Sequence, residues 1–278
     1  MRLVSRPIRA LPCAAAIALA AALATASGCS RPEEPAAPAV PPNVVLISID
    51  SLGAAHLPVY GYGVDTAPAI TRLAEESVVL DGARSTTTWT LPSHLSMLTS
   101  LYPGQHGVRA SKKSLNPGVP LLSEVLERAQ YRNEAVVSGK FLDRRYGYDR
   151  GWQRWDDELV HLSNTAKDVT SEQVHQRALA ALDRLAPGPF FLFLHYYDVH
   201  FDYRPPAPYD TMFDPGYSGE VSGTDFATRY LKRNEIPERD LAHLVALYDG
   251  EIRWVDEWLG RLFDELRRRG LWDNTLVV

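Results

Sequence analysis

The chain has 278 residues, with 29 Lys and Arg against 34 Asp and Glu and a formal net charge of −5. That mildly acidic, well-mixed charge contains no basic stripe, which argues against nucleic acid as a partner. Both cysteines, Cys13 and Cys29, precede residue 43, so the rest of the chain carries no disulfide, no thiolate metal site and no cysteine nucleophile.

The N-terminus reads as a targeting signal. Arg2, Arg6 and Arg9 precede an apolar stretch from Leu11 to Leu23, too short to span a bilayer. It runs into Ala26-Ser27-Gly28-Cys29, which resembles a bacterial lipoprotein cleavage box. An ordinary secretory signal with an incidental cysteine is the alternative. On the first reading, residues 1–28 are a signal peptide and Cys29 is lipidated. The chain is then anchored in the cell envelope, facing the periplasm or exterior without spanning the membrane. Residues 29–42, rich in Pro and Ala, read as a semi-rigid tether. Residues 43–278 suffice for one sizeable core, in the range of a single α/β domain.

Asn43 to Ile49 is almost wholly apolar, as in a parallel strand buried on both faces, and it ends on Asp50. Thr66-Ala67-Pro68 opens a short helix through Ile70, Leu73 and Ala74. In Trp89-Thr90-Leu91-Pro92-Ser93-His94, Pro92 suits the first helical position, and Leu95, Leu98 and Leu101 follow at helical spacing. Thr90 thus sits at a helix start, where the dipole favours an anion. Beside a cation held by a carboxylate, its hydroxyl is a candidate nucleophile. Taken alone, the same run is an ordinary helix start.

Leu121 to Ala129 predicts a further helix and Glu134 to Ser138 a strand. Thr170-x-x-Gln173 predicts a capping box ahead of Val174, Ala178, Leu182 and Leu185. Pro187-Gly188 stops that helix, and Phe190 to Leu194 reads as a central strand. A loop-rich stretch over 200–237 precedes the longest helix, with Leu244, Tyr248, Ile252, Val255, Leu259, Leu262 and Leu266 on one face. Gly270 ends it, and Leu276-Val277-Val278 starts a strand. The alternation predicts an α/β fold: a doubly wound, mainly parallel sheet with helices on both faces. Ligands bind beyond the carboxyl ends of such strands. Asp50, Lys140, His195, Asp198 and His200 all follow strand ends, so they converge on one rim.

Four stretches carry a family resemblance: Asn43–Leu52, Thr90–Thr99 with Leu101-Tyr102-Pro103, Phe190–His200, and Ala246–Ile252 leading into Asp273–Val278. With these in this order, the chain resembles a sulfatase of the alkaline phosphatase superfamily. The resemblance implies an alkaline phosphatase-like fold and a divalent metal. Calcium suits the oxygen ligands, with zinc or manganese as alternatives. Asp50 matches the first metal-binding carboxylate, and Ser51 stands where a second aspartate is common, a weaker neutral ligand. Thr90 holds the nucleophile position beside the metal. A cysteine or serine there is oxidised to formylglycine in true sulfatases, and threonine excludes that aldehyde because its β-carbon carries a methyl group. The implied chemistry is therefore a metal-activated threonine alkoxide attacking a small or polymeric sulfate or phosphate ester, with sulfate and phosphate both open.

His94 replaces the arginine of the signature, either donating to Thr90 or a substrate oxygen or simply packing. Lys140 matches the lysine that grips the substrate anion, while the histidine usual two residues later is Leu142. His200 matches the substrate-binding histidine at the leaving oxygen, a general acid, which Asp198 orients unless it supports the loop. His195 reads as structural. Trp152, Trp155 and Tyr203 either line the pocket or pack. The sequence stops before the family's remaining metal ligands, so the resemblance implies an N-terminal part of a longer hydrolase, the catalytic domain being truncated at its C-terminal end and nearly inactive alone. A phosphodiesterase or phosphoglycerol transferase-type enzyme of the same superfamily, or a non-catalytic anion-binding protein, are the alternatives.

Overall fold

A computed structural model describes residues 41–162, 169–224, 226–229 and 235–278. The signal peptide, Cys29 and nearly all of the tether lie outside these residues, as do six positions of the 200–237 stretch. Among the described residues no helix is long and apolar enough to cross a membrane.

Five strands form one sheet: β1 (Asn43–Ile49), β2 (Arg132–Val137), β3 (Arg154–Asp156), β4 (Phe190–Tyr196) and β5 (Thr275–Val277). Their order is β3-β2-β4-β1-β5, and each neighbouring pair is parallel. β4 lies at the centre with all seven residues buried, which is why its sequence is an unbroken apolar run up to His195. β3 has no such run. Its three residues become a strand by pairing with β2 along Glu134–Val136, and nothing in their own pattern signals it.

The longer helices are α1 (Pro68–Glu75), α2 (Thr90–Thr99), α3 (Leu122–Arg128), α4 (Ser171–Leu185) and α5 (Glu238–Arg268). They cover both faces of the sheet. On one, Val45, Val136, Leu192 and Leu194 pack with the apolar stripes of α4 and α5. On the other, Ala135, Val137, Phe191 and Phe193 pack with Leu91, Leu95 and Leu98 of α2. Neighbouring strand residues thus feed opposite cores, as the period-two alternation of side chains requires. The doubly wound, parallel α/β fold expected from the sequence is the one observed.

Two local expectations change. Pro92 is the third residue of α2 rather than the first, and Thr90 is the first. The capping box at Thr170 does not form, because Thr170 makes no side-chain cap to its own helix. Asp198, from the loop after β4, takes its place. Its carboxylate accepts from Thr170 N (2.6 Å), Thr170 Oγ1 (2.7 Å) and Ser171 N (2.5 Å). Burial raises the Asp198 pKa against the pull of these donors, and its two carboxyl oxygens reach both N–H groups, which one hydroxyl does not. Gly270, with φ +67°, follows α5 as expected.

Candidate active site

Asp50 is the first residue beyond β1, and its N–H still bonds Tyr196 O of β4 (2.9 Å). The sheet itself therefore sets where this carboxylate stands. Ser51 then turns the chain through a left-handed φ of 58°, and its Oγ donates to Asp50 Oδ1 (3.3 Å). The loop that follows is braced by α5. Tyr248 Oη donates to Ser51 O (2.8 Å) and accepts from Gly53 N (2.8 Å). Asp249 bonds His56 Nδ1 (2.7 Å) and Tyr62 Oη (2.6 Å).

Thr90 comes to the same place from the other face of the sheet. Its Oγ1 donates to Asp50 Oδ2 at 3.1 Å, with Oδ1 at 3.4 Å. As the first residue of α2 it lies where backbone N–H groups lack intrahelical partners, a field that favours negative charge. Asp50 is only 8% exposed. Burial raises its pKa, but the contact with His195 and the neighbouring imidazoles outweigh that and hold it well below the usual carboxylate range. It is a permanent anion at neutral pH.

His200 lines the cleft with these groups. Its Nδ1 meets Tyr197 Oη (3.0 Å) and Phe201 O (3.0 Å), and its ring stacks on Tyr197. Both contacts use Nδ1, which leaves Nε2 as the nitrogen available to a ligand. The cleft encloses about 670 Å³, far more than one tetrahedral anion needs and in the size range of small-molecule sites. Residues 83–89 also line it.

The remaining named residues are placed as follows. His94 does not meet the Thr90 hydroxyl. It is buried, with Nδ1 donating to Thr90 O (2.8 Å) and Nε2 accepting from Ser48 Oγ (2.8 Å). Burial pushes its pKa down to about 4, with the charge of His195 adding to that, so it is neutral and spent on holding α2 against β1. Lys140 is exposed, lies 5.9 Å over the Phe141 ring and does not line the cleft. Asp198 caps α4 instead of orienting His200. Trp152 and Trp155 pack against Phe191, Phe193 and Tyr148 in the core. Tyr203 packs on Phe226 and Tyr248.

One further group, read from the sequence as structural, lies beside Asp50. His195, fully buried, has Nε2 3.4 Å from Asp50 Oδ2. Its place one residue from the end of β4, paired with Ser48 two residues before Asp50, is the signal that a register argument would have used. Away from the cleft, Asp143, Asp157 and His161 bring three donor atoms within 4.8 Å. The Arg144 guanidinium holds Asp157 there.

The sulfatase family model matches residues 42–278. The ulvan-active sulfatase of Formosa agariphila is 24% identical over 265 residues, which is 85% of this chain and 42% of that protein. The phosphonate monoester hydrolase of Agrobacterium radiobacter superposes with a TM-score of 0.67 at 20% identity, over 85% of this chain and 61% of the other. The C-terminal periplasmic domain of EcEptC from Escherichia coli superposes at 0.60 with 16% identity, over 86% and 62%. The chain spans less than two thirds of the length of each of these proteins. With the family model covering nearly all of the described fold, the chain belongs to the sulfatase family.

Proposed function

We propose that this site is a metal-dependent hydrolase centre for sulfate or phosphate esters, with Thr90 as nucleophile. The observation that carries it is the 3.1 Å contact from Thr90 Oγ1 to a buried, ionised Asp50 at the head of a roomy cleft. The donors fit a hard cation: one carboxylate and the hydroxyls of Thr90 and Ser51 are all oxygen ligands. Bound there, a divalent ion supplies Lewis-acid polarisation and lowers the pKa of the threonine hydroxyl.

The chain's own residues do the rest. Asp50 accepts the Thr90 hydrogen bond and fixes the direction of its oxygen. Thr90 Oγ1, its proton released to solvent, attacks the sulfur or phosphorus, the bond from that atom to the ester oxygen breaks, and His200 Nε2 delivers a proton to the departing oxygen. The resulting threonyl ester is cleaved by water. The sulfate or phosphate choice stays within the proposal, since the relatives include a sulfatase and a phosphonate hydrolase.

Three donor residues are fewer than the six to eight oxygens, roughly, that calcium takes. Turnover is therefore expected to be slow. The test assays 4-nitrophenyl sulfate and bis(4-nitrophenyl) phosphate in parallel with added Ca2+, and reads the covalent ester on Thr90 by mass spectrometry. Thr90→Ala falls to background in both readouts, and Thr90→Ser retains both. Turnover that survives Thr90→Ala overturns the assignment; binding of metal and anion with neither ester nor turnover points to an anion-binding protein. For the leader, the proposal is a lipid anchor on Cys29, so that Cys29→Ser moves the protein from the detergent to the aqueous phase in a Triton X-114 partition.

A further inference from the structure

We propose that His195 is a positioning residue, whose ring holds the Asp50 carboxylate in the orientation that faces Thr90 Oγ1, and that residue 139 is glycine to make room for it. The idea rests on reading Asp50 and Thr90 as the reacting pair.

His195 occupies the middle strand of the sheet, between Ser48 of β1 and Val137 of β2, and is 0% exposed. Neither ring nitrogen has a hydrogen-bond partner among the described residues. Burying such a group unpaired costs free energy that a Phe or Leu, like its neighbours in β4, avoids. The polar atom it does face is Asp50 Oδ2, 3.4 Å from Nε2, within ion-pair range and longer than a well-formed hydrogen bond. That same oxygen accepts from Thr90 at 3.1 Å. One carboxylate oxygen is thus held by His195 from beneath and by the nucleophile from the cleft.

The surroundings are built around this ring. A Cβ at Gly139 lies 2.5 Å from His195 Cε1 and 3.2 Å from Nδ1. Gly139 has φ −91° and ψ 131°, a conformation open to any residue, so space rather than backbone freedom requires the glycine. Ser138 Oγ donates to His195 O (3.0 Å) and fixes the strand end. On the other side the His94 ring stands edge-on at 5.0 Å, both its nitrogens already committed to Thr90 O and Ser48 Oγ. Boxed in this way, the His195 ring has one direction in which its charge or N–H meets a polar partner, toward Asp50. Carboxylates that ligate metals depend on such outer partners for their orientation.

Crystal structures of His195→Phe, His195→Gln and Gly139→Ala, with Ca2+ calorimetry on each full-length chain, test this. In His195→Phe the Asp50 carboxylate turns out of hydrogen-bond reach of Thr90, Ca2+ affinity falls roughly ten- to hundredfold, and kcat drops with KM little changed. His195→Gln places an amide N–H in the same space and restores the Asp50–Thr90 contact. Gly139→Ala displaces the ring and reproduces the His195→Phe result, so it decides the question if His195→Phe does not fold. An unchanged Asp50–Thr90 distance in both His195→Phe and Gly139→Ala overturns the proposal. Because that distance is read directly, the outcome is independent of whether Thr90→Ala abolishes turnover.

Discussion

At His200 the two contacts to Nδ1 leave Nε2 as the nitrogen for the proposed general-acid role. A general acid matters most when the leaving oxygen is strongly basic. His200→Gln is therefore expected to slow cleavage of alkyl or sugar esters by about 10²- to 10⁴-fold, while 4-nitrophenyl esters, whose leaving group needs no proton, lose about tenfold or less. Comparing kcat/KM for the two substrate types measures this; equal losses remove His200 from the acid role. The sequence named His200, Thr90 and Asp50 because chain order and motif spacing place them. It left His94 open between a donor and a packed ring and read His195 as structural; the two lie on facing secondary-structure elements with rings 5.0 Å apart. Residue type tells that a ring has two nitrogens, but only packing tells which neighbours those nitrogens meet. His94 spends both on α2 and β1, and His195 turns toward Asp50.

Among the elements, two helix starts are capped by carboxylates distant in sequence. Asp198 caps α4, and Asp256 of α5 caps α1 by accepting from Ala69 N (2.8 Å) and Ile70 N (2.8 Å). Burial raises the Asp256 pKa from 3.8 to about 6, against the pull of those two N–H groups. A carboxyl raised on folding contributes its stability below the unfolded value near 3.8 and loses it as pH climbs through about 6. From pH 4 to 7 the wild type should therefore lose on the order of 1–3 kcal/mol relative to Asp256→Asn, read as the difference in urea midpoints at each pH. A constant difference across that range sinks the prediction. Local patterning located α1, α2, α4 and α5, because a 3.6-residue apolar period is a property of the segment itself. It did not anticipate the caps at Thr170 or Ala69, whose partners lie 28 and 187 residues away, nor β3, which exists through its ladder to β2.

For the whole molecule, the proposed metal site makes stability depend on a ligand that binds only the folded chain. Ca2+ at about one hundred times its Kd stabilises by about 2.7 kcal/mol, so Tm should rise with Ca2+ in wild type, fall with chelator and stay unmoved in Asp50→Asn. Equal shifts in both proteins place the ion elsewhere, with Asp143, Asp157 and His161 the next group to examine. The strand–helix alternation and the largely apolar runs of β1 and β4 determined, by themselves, a mainly parallel sheet and a rim on which the sequence placed Asp50, Lys140 and His200, with Thr90 at a helix start beside it. Those features are local: periodicity, propensity and motif spacing survive in the unfolded chain's order. The tertiary structure alone decided that β4 lies between β1 and β2, which sets His195 beneath Asp50, spends His94 on α2, and leaves Lys140 outside the cleft. Such facts depend on register and side-chain direction between segments brought together by folding, as where Ser48 pairs with His195 and His94 bonds Ser48, which only the packed sheet specifies.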